Sequence, residues 1–251
     1  MRPLNERSAA LAVLLSGVVL SFSPLVFRVS TCTDWQYLLC RLLGLSLAAS
    51  AGLAYSRHRG AAVCATVRRR RVVGAGLLIS IANCAFIIAL ARIDSATAVL
   101  MQGVAPIVAA LLGRIAPPHE ALDGHTALSI MLALAGLALM GTTWASDDPV
   151  GLLVAALIPF ALGGYTVLLR GASDTERDPW APLFWSGVFG ASAGAVVVAS
   201  TSGFAMAWTD ALLGLGAGAG ILGVGLAIFN AGVLASPLPI APLQPWLVCV
   251  T

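Results

Sequence analysis

The chain has 251 residues, 59% hydrophobic and 10% charged, with a mean hydropathy of +0.94; a soluble domain is about 45–50% apolar and about 25% charged. This composition excludes a soluble fold with an ordinary core and points to a chain that crosses a membrane several times. The formal net charge is +3 and all 14 basic residues are Arg, which, with the abundance of Ala and Gly, suggests a high-GC bacterial genome.

Apolar runs of about 20 residues recur along the chain, the signature of spanning helices; barrel strands would read as alternating segments of roughly ten residues. The first helix is expected over 8–28. Arg2 and Arg7 precede it, but the run is too long for a signal-peptide core and no small-x-small cleavage site follows. The second, over 36–55, carries Arg41 about one turn inside. An Arg at mid-bilayer costs ~2.5–3.5 kcal/mol on insertion scales, so two readings stay open. Arg41 snorkels to the outer interface, or it pairs with a solute or a neighbouring helix.

The third helix, 72–91, holds Asn83, and the fourth, 95–115, holds Gln102 and Pro106. Four more are expected over 126–144, 150–169, 181–200 and 211–233, and a ninth stretch starts near Pro237. Thr251 lies only fourteen positions beyond Pro237, roughly 22 Å of helix against a hydrocarbon core of ~30 Å. The ninth span is therefore expected to be incomplete and a tenth absent, as in a C-terminally truncated fragment or a short form.

Loop charge sets the expected orientation. The 56–71 connection, SRHRGAAVCATVRRRR, together with Arg2, Arg7, Arg114, Arg170 and Arg177 puts eleven of the 14 Arg on one side. By the positive-inside rule that side is cytoplasmic, with the N-terminus inside. The other side carries Arg28 and Arg92 with Asp34, Asp94, Asp147, Asp148 and Asp210. The RRRR run reads as a topology determinant near anionic headgroups in preference to a nucleic-acid patch.

The five Cys lack metal or redox spacing and read as small packing residues, with a Cys32–Cys40 bridge as a weak alternative. The three His, at 58, 119 and 125, have no partner spacing for a metal. Glu120 and Asp123 suit a helix N-terminus, with a gate or proton relay as the alternative. In GLGAGAGILGVG (214–225) the pairs Gly214/Gly218 and Gly216/Gly220 favour close helix packing over a phosphate loop. Trp35, Trp144, Trp180 and Trp208 read as interface-belt residues. LDGHTA (122–127) resembles the start of a headgroup-transferase motif, but the further Asp residues are missing, so no enzyme is expected.

The second half restates the first. Pro245 falls 139 residues after Pro106, and Gln102 and Gln244 each lie within about a turn of their proline. Asn230 is a looser counterpart of Asn83; SPLVFR ending at Arg28 lies against YTVLLR ending at Arg170, and DWQYLLCRLLG against PWAPLFWSGVFG. Five spans per copy is an odd number, so the second copy enters from the opposite side. The fold class is an all-α integral membrane protein built as an inverted repeat of five-helix bundles, over 1–146 and 147–251. Such repeats enclose a solute site near the midplane. Pro106 removes an i→i−4 hydrogen bond, and the freed backbone, like the Gln102 amide, needs protein or a wet cavity around it. A plain helix–helix hydrogen bond, at ~0.6 kcal/mol, is the alternative for Gln102.

The stretch from Ile81 to Met140, IANCAFIIALARIDSATAVLMQGVAPIVAALLGRIAPPHEALDGHTALSIMLALAGLALM, resembles the third-to-fifth helix block of the EamA-type family of drug/metabolite transporters. CRLLG with Arg41 and the later LQPWLVCV suit that family too, and the resemblance extends over nearly the whole chain. It implies two inverted five-helix repeats in the bacterial inner membrane, export or less often uptake of small metabolites such as amino acids or drugs, and no fixed catalytic set. The expected function is alternating-access transport, with a non-transporting membrane partner or an inactive truncated transporter as the alternative. Asn83, Gln102, Asn230 and Gln244 would offer amides to a solute, Pro106 and Pro245 would break their helices, and Arg41 would neutralise an anionic group. The expected partners are a small-molecule solute and the bilayer, with a homodimer as an option. No cofactor, metal or nucleic acid is expected.

Overall fold

The computed structural model describes residues 6–58, 70–115, 131, 135, 148–171 and 178–235, and every regular element among them is helical. In chain order these are α1 (Glu6–Ser21), α2 (Ser23–Val29), α3 (Asp34–His58), α4 (Arg70–Arg92), α5 (Ser95–Gly103) and α6 (Ala105–Ile115). There follow α7 (Pro149–Arg170), α8 (Ala181–Ser200), α9 (Trp208–Gly216), a π-helical stretch (Ala217–Val224) and α10 (Gly225–Ala235). Seven segments are long and apolar enough to cross a membrane: Leu11–Val29, α3, α4, Ser95–Ile115, α7, α8 and Trp208–Leu234. The protein is a helical multi-pass membrane protein. The helix expected over 126–144 lies outside the described residues except for helical Met131 and Ala135, and the stretch from Pro237, with Gln244 and Pro245, lies outside them entirely.

Three spans are interrupted, each with a local cause. Phe22 separates α1 from α2, and Pro24 stands in the first turn of α2, where its missing N–H is harmless. Val104 separates α5 from α6: its N–H reaches back only three residues, to Met101 O at 3.3 Å, and Pro106 follows in the first turn of α6. The Trp208–Leu234 span rewinds through the glycine-rich AGAGILGV stretch, where little side-chain bulk opposes the wider turn. Pro159 sits inside α7, which remains one helix.

The core is built by α3 against α8, by α4 against α7 and α8, by α1 against α10, and by α6 against α7; α3 also lies along α9 and the π stretch. Small residues permit the last contact. A Cβ on Gly214 would meet Cys40, and one on Gly218 would fall on the Arg41 carbonyl. Gly216 and Gly220 face open space, so one of the two expected glycine pairs makes the packing surface. Tyr37, Leu38, Leu42, Leu45, Ile87, Leu90, Ile158 and Leu183 are fully buried. Leu153, Val196 and Phe160 stand outward, with Leu153 70% exposed; acyl chains around the bundle remove the ~25 cal/mol per Å² that such surface would cost in water.

Hydrogen bonds define the two ends of the bundle. At one, Arg28 donates to Ser95 Oγ at 3.1 Å, and Thr31 donates to Asp210 from both its backbone N–H (3.0 Å) and its hydroxyl (2.7 Å). There too Gln36 Nε2 donates to the carbonyls of Gly203 (2.8 Å) and Ala205 (3.1 Å). At the other end Arg71 Nη1 donates to Gly171 O at 2.5 Å, and the half-buried Trp180 ring packs over Gly52 with Leu53 and Val72. Trp208, 74% exposed, faces outward. Cys32 and Cys40 are both free thiols.

Asp148 caps α7 at the first end, accepting from the N–H groups of Val150 and Gly151 and from Arg92 at 3.3 Å. The Gly151 N–H above all, with Arg92, holds its carboxyl below the usual carboxylate range. A depressed folded-state pKa contributes stability above the unfolded value and loses it as pH falls through the folded value. We therefore expect thermal melts of wild type and Asp148→Asn to differ at neutral pH and to converge as pH falls below the ordinary carboxylate pKa. A difference that persists under acid would refute the cap's charge dependence.

Candidate functional site

One face of each surrounding helix is turned to a central cavity of about 240 Å³. From α4 come Ile79, Ala82, Asn83 and Phe86, and from α7 come Ile158, Leu162, Tyr165, Thr166 and Arg170; both series step by three and four, a single helical stripe. The interrupted spans close the wall with Ser23 and Pro24, with Gln102 and Pro106, and with Leu222 and Leu226 from the rewound stretch and its continuation. Helix breaks and cavity therefore coincide. This is where a membrane protein tolerates backbone groups lacking their helical partners.

Four of the residues singled out from the sequence, Arg41, Asn83, Gln102 and Pro106, line this one cavity. Arg41 does not snorkel: it is 2% exposed, about 10 Å into α3 by helical rise. Its Nε and Nη1 are buried and lack hydrogen-bond partners among the described residues, and its guanidinium carbon lies 6.0 Å from the centre of the Phe86 ring, at the outer limit of a cation–π contact. Asn83 donates from Nδ2 to Ile79 O on its own helix at 2.9 Å, which leaves Oδ1 as the cavity-side acceptor. The Gln102 amide has no hydrogen bond among the described residues.

Asn230 stands apart from the wall. It is fully buried, with Oδ1 accepting from the Tyr165 hydroxyl and Nδ2 donating to Pro179 O at 2.8 Å. Both halves of its amide are engaged within the protein, and its link to the cavity is through Tyr165. Gln244 and Pro245 lie outside the described residues.

Six polar wall residues are absent from the sequence-derived set: Ser16, Ser21, Ser23, Tyr165, Thr166 and Arg170. Ser23 carried the same signal as Gln102, a polar side chain beside an intramembrane proline. Tyr165, Thr166 and Arg170 lie within YTVLLR, the segment aligned with SPLVFR, so the repeat itself was the signal that marks them. The described wall contains two guanidinium groups and no carboxylate.

No family model and no curated protein matches the chain. Solved structures do share its fold: a crystal structure of a protein aligns over 97% of this chain and 85% of its own length, with a TM-score of 0.73 and 19% identity. That likeness is one of fold alone.

Proposed function

We propose that the chain moves a small solute across a membrane by alternating access, in the manner of the EamA-type drug/metabolite transporters. The observation that carries this reading is the cavity wall, where Ser23 and Gln102 from interrupted spans meet Arg41 of α3 and Asn83 of α4 around one cavity. A structural polar contact would engage its amide in the protein, as Asn230 does. Gln102 instead faces the cavity.

The helix pairing supports an inverted repeat over 1–146 and 147–251. Matching the first three spans to α7, α8 and the α9–α10 span turns the α1–α10 contact into α7–α4. The contact of α3 with the α9–α10 span becomes α8–α4, and α3–α8 maps onto itself. All of these contacts are present. In the proposed orientation, with the N-terminus in the cytoplasm of a bacterial inner membrane, the Thr31–Asp210 and Gln36 ties close the outer end. The cavity then runs inward past Tyr165 to Arg170, which suits loading from the cytoplasm and export.

The test is solute counterflow in proteoliposomes holding the chain, across a panel of amino acids and toxic analogues. We expect flux for part of the panel, and a loss of about tenfold in rate or affinity for Gln102→Leu, the size of one lost hydrogen bond of ~1.4 kcal/mol. Asn83→Leu is expected to act in the same direction. Flux unaltered by both would remove the site assignment, and absence of flux across the panel would remove the transport reading.

A further inference from the structure

The cavity wall holds two buried polar groups that nothing among the described residues satisfies. Arg41 offers Nε and Nη1 with no acceptor, at 2% exposure, and Ser23 offers its hydroxyl with none, at 4% exposure. Both belong to the cavity wall, as does Gln102, whose amide is unengaged among the described residues. A buried charge is ordinarily paired, because an isolated one is strongly unfavourable in a low-dielectric interior. The described wall contains no carboxylate that could act as counter-ion.

We propose that the missing counter-ion is the solute: the cavity takes a small molecule bearing a carboxylate, which Arg41 binds through its planar fork, with Ser23 and Gln102 donating to the remaining lone pairs. The proposal rests on the transport reading above and names its substrate class. A guanidinium edge matches the two oxygens of a carboxylate. The edge of Arg41 that would meet both oxygens is Nε with Nη2; Nε has no acceptor among the described residues, and Nη2 makes no hydrogen bond there.

The rest of the solute is apolar and small. Ile79, Ala82, Phe86, Leu162 and Leu222 line the same cavity. About 240 Å³ is below the ~300–1,000 Å³ of pockets that hold drug-sized ligands. A dianionic phosphate would call for a second cation close by. Arg170, at the far end of α7, lies about 30 Å by helical rise from the end at which Arg41 is only about 10 Å deep, so the two cannot grip one small group.

The test compares 4-methylpentanoate with its neutral isostere 4-methylpentanamide, with inorganic phosphate as a third probe. Binding is read by calorimetry and counterflow by proteoliposomes, both on the full chain. We expect the carboxylate to bind at least tenfold more tightly than the amide, and phosphate to compete weakly. Arg41→Gln is expected to abolish the preference, and Arg41→Lys, which keeps the charge and loses the fork, to retain part of it. Should Arg41→Gln fail to fold, the carboxylate-to-amide ratio on wild type and on Ser23→Ala still decides. Equal binding of acid and amide, or preferential binding of phosphate, overturns the proposal. Carriage of the amide without preference for the acid would leave transport standing and remove the carboxylate site. Binding of the acid without any flux would do the reverse.

Discussion

Replacing Asn230 with Leu is expected to lower stability by about 2–4 kcal/mol and to alter the cavity only through Tyr165. The substitution leaves two dry groups without partners, the Tyr165 hydroxyl and the Pro179 carbonyl. Each unsatisfied buried group costs about 1–3 kcal/mol. Interhelical hydrogen bonds in membranes average only ~0.6 kcal/mol, because the unfolded chain also finds partners there. The larger figure applies here because Asn230 has no exposed surface and sits between protein groups, out of reach of lipid headgroups or water. Tyr165→Phe removes one bond and leaves one orphan acceptor, so it should cost about half as much, and the double variant should cost less than the sum. Thermal melts in one detergent give the cycle. Solute binding gives the second readout: once Tyr165 is Phe, Asn230→Leu should leave affinity unchanged. A further loss in that background would mean that Asn230 touches the solute directly.

The spans were legible because membrane insertion is set by summed hydropathy over about 20 residues, a quantity that survives any local detail. Ends were legible where a cap or a loop charge marked them, as Asp148 does for α7. Helix breaks were legible at Pro24 and Pro106, since a missing N–H acts within one turn. What the sequence could not express was pairing across the bundle. Nothing local distinguishes Asn83, whose amide leaves an acceptor toward the cavity, from Asn230, whose partners lie 65 and 51 residues away. For Arg41 the sequence left snorkelling and pairing open, and the choice turned on depth and on the absence of acceptors around it, both properties of the packed helices. The glycine run of the Trp208–Leu234 span announced close packing but not which of its glycines would make it. Facing depends on how α9 and the π stretch are wound against α3.

That facing gives the sharpest contrast available in the chain. Gly216 and Gly218 are two residues apart, and their substitutions to Ala are expected to differ in sign. At Gly216 an added Cβ meets nothing within 4 Å, so the change should be neutral or stabilising, by up to the ~1 kcal/mol that separates Gly from Ala in helix propensity. At Gly218 the same Cβ would fall on the carbonyl of Arg41. A backbone atom cannot rotate away, so α3 and the π stretch must separate, an overpacking cost of about 1–3 kcal/mol. The displacement also shifts the residue whose guanidinium lines the cavity, so Gly218→Ala should weaken solute binding along with stability. Gly216→Ala should leave binding untouched. Thermal melts and solute affinity on the two variants check both statements together. If Gly218→Ala melts no lower than Gly216→Ala, then α3 and the π stretch do not approach as closely as their glycines allow. Arg41 would then have room to take another position, and the geometry that presents it to the cavity would have to be drawn again.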